Sequence, residues 1–296
     1  MVIVLKLSSS VPMFLRTLFS LLLATLVIAV PNVGAGRLDN TGPKPMKAGP
    51  SSSLVVNDDE NYGEAIDPYN PDFEYTANIT KILKTKWQTV FIRGYKSNGQ
   101  KGKFDTNSVA SAQNAYKAGL GVEIFMEAQP FGKLDGGELL HEVYQNLSDK
   151  GVVLRSIWLQ VSRLASWSGD SASNVAYINS TINGANQLGL NFGIYTNATL
   201  WYRITNNYVV ASNVSLWYFD QLPTEKHYTG TKNFDDFKTF AGFYSPLVKQ
   251  WSSYDQNGIY SGNTTPFNRN IYEVGLTAKK SYVDSEGKIV VGGIGL

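Results

Sequence analysis

"SIWLQVS", residues 156–162, decides how the rest of the chain is read. Side chains alternate across a strand, so Ile157, Leu159 and Val161 share one face. Trp158, Gln160 and Ser162 share the other. A strand that is apolar on one face, with polar groups near its C-terminal end on the other, suits a parallel α/β barrel. The working groups of such a barrel sit at the C-terminal ends of its strands. Here the end offers an amide and a hydroxyl, and no carboxylate.

Working outward, strand-like runs recur at 63–67, 88–95, 121–127, 152–161, 190–196, 214–219, 247–251 and 268–274. Amphipathic helical patterns lie between most of them. In 107–118, Val109, Ala112 and Tyr116 form the stripe, with Asp105 or Thr106 as cap. In 137–149 and 172–188 the helical period is closed by Gly151 and Gly189. Strands alternating with helices point to βαβ units and a parallel sheet. The expected fold is an irregular (β/α) barrel of about eight strands, the last joined with few or no helices. The domain occupies residues 61–276. Residues 36–60, rich in Gly, Pro, Ser and Asp, read as a flexible linker. Residues 277–296 read as a C-terminal tail with a hairpin around Ser285-Glu286-Gly287.

The first 35 residues differ in kind. Lys6 and Arg16 precede an apolar run, Leu18 to Val30, followed by Val33-Gly34-Ala35. This is the layout of a cleaved secretory signal, with an uncleaved anchor as the alternative. Met13 is a possible second start. The chain holds 26 Lys+Arg and 24 Asp+Glu. The signal accounts for two of the bases and none of the acids, so the remainder is 24 against 24. Nothing in that balance attracts nucleic acid or an anionic membrane. Six sequons, at Asn78, Asn146, Asn179, Asn197, Asn213 and Asn263, fit a secreted, extracellular glycoprotein. Cysteine is absent, which excludes thiol chemistry and leaves stability to core burial. With His141 and His227 the only histidines, a histidine metal cluster or a Ser-His-Asp triad is not expected. No Gly-rich phosphate loop is present, and no cofactor is expected.

The strand ends, in order, present Asp67, Tyr95, Glu127, Gln160 with Ser162, Tyr195, Trp217 with Asp220, Gln250 with Trp251, and Asn268. Aromatic faces stack on sugar rings and amides bond to hydroxyls, so this set suits a carbohydrate. Asp67 also precedes Pro68, where a turn-initiating aspartate is common. Trp158, Trp217 and Trp251 could equally be barrel filling.

The segments "EAID", "VFIRGYKSNGQ", "NAYKAGLGVEIFMEAQP", "SIWLQVS", "GLNFGIYTN", "LWYFD" and "VKQW…NRNIYEV" together resemble successive strands of the invertebrate and amoeba-type lysozymes of glycoside hydrolase family 25, the nematode branch above all. The likeness spans roughly residues 62–275. It implies an irregular barrel that cleaves the N-acetylmuramyl bond of bacterial peptidoglycan, in an innate-immune or digestive role. The implied partner is bacterial cell-wall glycan, with no nucleic acid, no membrane once the signal is removed, and a monomeric chain.

The family's first-strand aspartate matches Asp67. Its Asp-x-Glu pair on the fourth strand falls on Gln160 and Ser162, and a late aspartate falls on Asn268. Glycoside cleavage needs a proton donor and a second carboxylate. An amide and a hydroxyl cannot supply the proton, and general acid–base help is worth on the order of 10²–10⁴ in rate. Glu127 is the candidate replacement acid, beside an ionised Asp67. Glu123 shares its face, and Glu123 with Tyr95, Tyr195, Trp217 and Gln250 are the expected substrate contacts. The opposing reading pairs Glu123 with Arg93 or a lysine beneath the barrel and leaves Glu127 on the rim. Three classes stay open: an enzyme with a relocated acid, a non-catalytic glycan-binding barrel, and a secreted signalling or structural protein.

Overall fold

The quoted stretch forms a strand, β6 (Ser156–Gln160), because its two faces meet two different apolar layers. Ile157, Leu159 and Val161 belong to the layer between barrel and helices. Trp158 belongs to a separate cluster inside the barrel, with Ala65, Phe91, Phe125, Trp217, Val248 and Tyr272. The computed structural model describes residues 62–99, 101–220, 227–255, 265–274 and 280–295. The expected signal, the expected linker and the sequon at Asn263 lie outside the described residues.

The other barrel strands are β1 (Tyr62–Pro68), β2 (Thr89–Lys96), β4 (Gly121–Glu127), β7 (Asn191–Thr196), β8 (Ser215–Phe219), β10 (Val248–Asp255) and β11 (Phe267–Glu273). They close in the order β1, β2, β4, β6, β7, β8, β10, β11, and β11 returns to β1. Pairing is parallel from β1 round to β10, and antiparallel where β11 meets β10 and β1. The closed, irregular eight-strand barrel expected from sequence is therefore present. Short strands β3 (Lys103–Phe104) and β9 (Tyr228–Thr229) attach to β2 and β10.

Helices α1 (Ala77–Leu83), α2 (Asn107–Lys117), α3 (Gly136–Asp149), α4 (Ser171–Gln187) and α5 (Ala198–Thr205) cover the parallel side. Asp135 and Glu138 form a capping box on α3, and the Asp170 side chain caps α4. The Asn197 side chain caps α5 by accepting from the Leu200 N–H, and Asn197 is only 7% exposed. The asparagine of that sequon is thus buried in its capping role. Asn78 and Asn213 are exposed, while Asn146 and Asn179 are half-buried.

The barrel is filled, and its filling dictates a small residue. Trp158 and Trp217 pack edge to face with centroids 6.1 Å apart, and Phe91 lies 4.1 Å from Trp217. A Cβ on Gly193 would sit 2.2 Å from the Trp158 ring. Gly193→Ala is expected to cost about 1–3 kcal/mol by overpacking, read as a lower denaturant midpoint with an unchanged slope.

Two expectations are corrected here. The run 152–161 is not one strand: β5 (Val152–Leu154) leaves the barrel and pairs with the C-terminal segment. The residues 277–296 are also not a separate tail. Strands β12 (Tyr282–Val283) and β13 (Ile289–Val291) form the expected hairpin, and β13 lies parallel to β5. The chain then turns under the barrel, where the Gly292 N–H donates to Val122 O and Ile294 joins the interior cluster. The end of the chain is the floor of the barrel. The link is long-range and carries no local signature.

Candidate functional site

At the C-terminal end of β1, Asp67 points into the barrel directly opposite Asn268 on β11. Asn270 follows two residues along the same face. The Asn268 amide donates to Asp67 Oδ2 at 2.7 Å and the Asn270 amide donates to Oδ1 at 2.7 Å. Each amide oxygen is held in turn: Asn270 Oδ1 accepts from Trp217 Nε1 at 2.8 Å, and Asn268 Oδ1 from the Tyr254 N–H at 3.1 Å. Asp67 is 7% exposed. Burial pushes its carboxyl up to about 7, against the opposing pull of the two amide bonds.

Asp67 lines a cavity of about 60 Å³ with Tyr69, Gln160, Arg163, Tyr195, Trp217 and Asn268 among the walls. Gln160 and Tyr195 stand side by side across β6 and β7, and Tyr195 beside Trp217 across β7 and β8. The Tyr195 hydroxyl donates to Gln250 Oε1 at 3.0 Å, and its ring stacks on Phe219. The structure thus gathers Asp67, Gln160, Tyr195, Trp217 and Asn268 around one cleft, with Gln250 behind Tyr195.

Glu127 is in the same row, paired with Gln160 across β4 and β6, but its carboxyl is drawn away. Oε1 accepts from Arg93 at 3.3 Å and Oε2 from the Ser97 N–H at 2.9 Å. It opens into a second cavity, of about 170 Å³, whose walls include Ser97, Asn98, Ser166 and Trp167. Gln160 and Arg163 line both cavities and separate the two carboxyls. Arg93 also holds Asp105 and Asp72, so Glu127 is one acceptor in a charged cluster around the buried Arg93.

Three sequence-expected residues lie outside the cleft. Glu123, at the start of β4, is at the barrel floor. There it accepts from Ser156 Oγ, Trp158 Nε1 and the Gly293 and Ile294 N–H groups. Neither Arg93 nor a lysine pairs with it among the described residues. Tyr95 faces the outer layer, because a register shift between Arg93 and Tyr95 reverses the alternation of β2. Ser162 lies past the end of β6 and is not part of either cavity wall.

Sequence reading missed Asn270 and Arg163. Asn270 was accessible through period two from Asn268. Arg163 sits in a loop, where no period applies.

The likenesses to known proteins give the family and the fold. A family model described as "Lysozyme-like protein 1" matches residues 58–251. The chain is 37% identical to Lysozyme-like protein 1 of Caenorhabditis elegans over 281 residues, covering 90% of this chain and 91% of that one. It is 30% identical to Probable GH family 25 lysozyme 4 of Dictyostelium discoideum over 176 residues, 60% of this chain and 78% of that one. Among solved structures, a family GH25 lysozyme from Aspergillus fumigatus superposes with a TM-score of 0.53 at 16% identity, covering 73% of this chain and 95% of that one. That last likeness shows the fold alone. From a barrel closed by two antiparallel pairings and a family model covering most of its strands, the conclusion follows that the chain belongs to the lysozyme-like family related to the GH25 lysozymes.

Proposed function

We propose that the chain is a secreted lysozyme-like protein that binds bacterial peptidoglycan glycan in the Asp67 cleft without turning it over at a lysozyme's rate. The observation that carries this is the cleft's carboxyl content: among its described lining residues Asp67 stands alone, and Gln160 is its neighbour. Glycoside cleavage by the two-carboxylate route needs a second such group facing the same bond. Glu127, the nearest substitute by row, spends both oxygens on Arg93 and Ser97. What remains is an aromatic and amide surface suited to hydroxyl and acetamido groups. The apolar segment near residues 18–30 and the sequons support an extracellular setting.

The test pairs sedimentation with turbidity. The mature protein is expected to sediment with insoluble peptidoglycan while the suspension's turbidity stays at the buffer blank. Turbidity loss that disappears in Glu127→Gln would overturn the non-catalytic reading and make Glu127 the acid. Failure to sediment would remove the glycan reading altogether.

A further inference from the structure

Among the described residues Arg163 is the one cation on the wall of both cavities, and its surroundings set it apart from its neighbours. Arg93 is buried and occupied by Asp72, Asp105 and Glu127. Lys96 donates to both oxygens of Asp72 at 2.7 Å. Arg163 instead has a side chain 59% exposed and lies 3.9 Å from Glu127, beyond hydrogen-bond reach. Among the described residues its guanidinium makes no hydrogen bond. Glu127 meanwhile already has closer donors. A planar fork of donors left open above a cleft is matched by a carboxylate, which takes two parallel bonds from it.

The two cavities lie on either side of Gln160 and Arg163, so a ligand seated over Asp67 has Arg163 beside it and the Glu127 side beyond. That side is the roomier, about 170 Å³ against 60 Å³. We propose that Arg163 is the specificity-determining residue of this cleft. It selects an amino sugar bearing a carboxylate, on a lactyl ether or on a peptide attached to it, over a neutral amino-sugar chain. This rests on the glycan-binding reading above and names the residue that discriminates within it.

Three probes distinguish the sources of the carboxylate: a neutral N-acetylglucosamine trimer, an N-acetylglucosamine–N-acetylmuramic acid disaccharide with its free lactyl carboxylate, and muramyl dipeptide, in which that carboxyl is amidated and the charge lies on the peptide. Binding is measured by calorimetry on the parent, Arg163→Gln and Arg163→Lys, with thermal melts confirming that each is folded. The parent is expected to bind at least one acidic probe about ten-fold more tightly than the trimer, and that preference weakens with added salt. Arg163→Gln should lose the preference, with a much larger fall in affinity for the acidic probe than for the trimer. Arg163→Lys should recover part of it, since it restores charge without the fork. The acidic probe that responds locates the carboxylate. Equal affinity of the parent for all three probes, or equal loss of all three in Arg163→Gln, overturns the assignment and leaves glycan binding standing. No binding of any probe by the parent brings down the glycan reading, and this assignment with it.

Discussion

Glu123→Ala is expected to lower the melting temperature more than any single substitution in the Asp67 cleft. Glu123 is fully buried beneath the barrel and accepts four hydrogen bonds, three at 2.9 Å and one at 2.6 Å. Burial pushes its carboxyl up, and the four donors oppose that. Two of those donors are backbone groups of the C-terminal segment, so this one side chain ties β4, β6 and the end of the chain together. Alanine leaves three N–H groups without an acceptor and opens a void. Each orphaned buried group costs about 1–3 kcal/mol, and the Ser156 hydroxyl can turn elsewhere. With partial relaxation, the sum is about 3–5 kcal/mol. For a domain of this size that corresponds to a fall of roughly 6–20 °C. Glu123→Gln keeps one acceptor oxygen and should cost about half as much. Thermal melts measure this directly. Limited proteolysis should also show faster cleavage within residues 280–295 in Glu123→Ala. A melting point within about 2 °C of the parent would mean that the floor is held by something else.

The second large effect is a dependence of stability on pH centred on Asp67. Its carboxyl is held near 7 in the folded protein, against an ordinary value of 3.8. Between those values the folded chain keeps a proton that the unfolded chain has released, so unfolding becomes easier as pH rises. The contribution is fully present below pH about 4 and is lost as pH passes through about 7. Each unit of separation is worth about 1.4 kcal/mol, so the parent should lose about 3 kcal/mol from this group between pH 5 and pH 8. Asp67→Asn carries no titrating proton and lacks this slope, although its amide faces those of Asn268 and Asn270 less well at every pH. Urea unfolding of both proteins at the two pH values isolates the effect. If the two lose stability in parallel, Asp67 titrates normally and its burial does not set its charge.

Most of the barrel strands were legible because the alternation of apolar and polar residues is local. Ile157, Leu159 and Val161 on one face, and Trp158 and Gln160 on the other, already separate the outer layer from the barrel interior. The same alternation placed Asp67, Gln160, Tyr195 and Trp217 at one end. It failed where the chain breaks its own period. At the irregularity after Arg93 the alternation reverses, and Tyr95 is lost to the outer layer. Extrapolating the run 152–161 as one strand concealed β5, because a residue that leaves one sheet for another keeps the same apolar character.

The amino-acid sequence alone determined most of the barrel strands, the polar end of the barrel and the amide and hydroxyl that "SIWLQVS" offers there in place of a carboxylate, since each depends on residue identity and short-range period. Tertiary structure alone decided the use made of each carboxyl. Asp67 faces the cleft between two asparagines, Glu127 is captured by Arg93, and Glu123 fastens the end of the chain beneath the barrel. A carboxyl's role depends on which donors surround it and how much water reaches it. Those donors come from residues as many as 203 positions away.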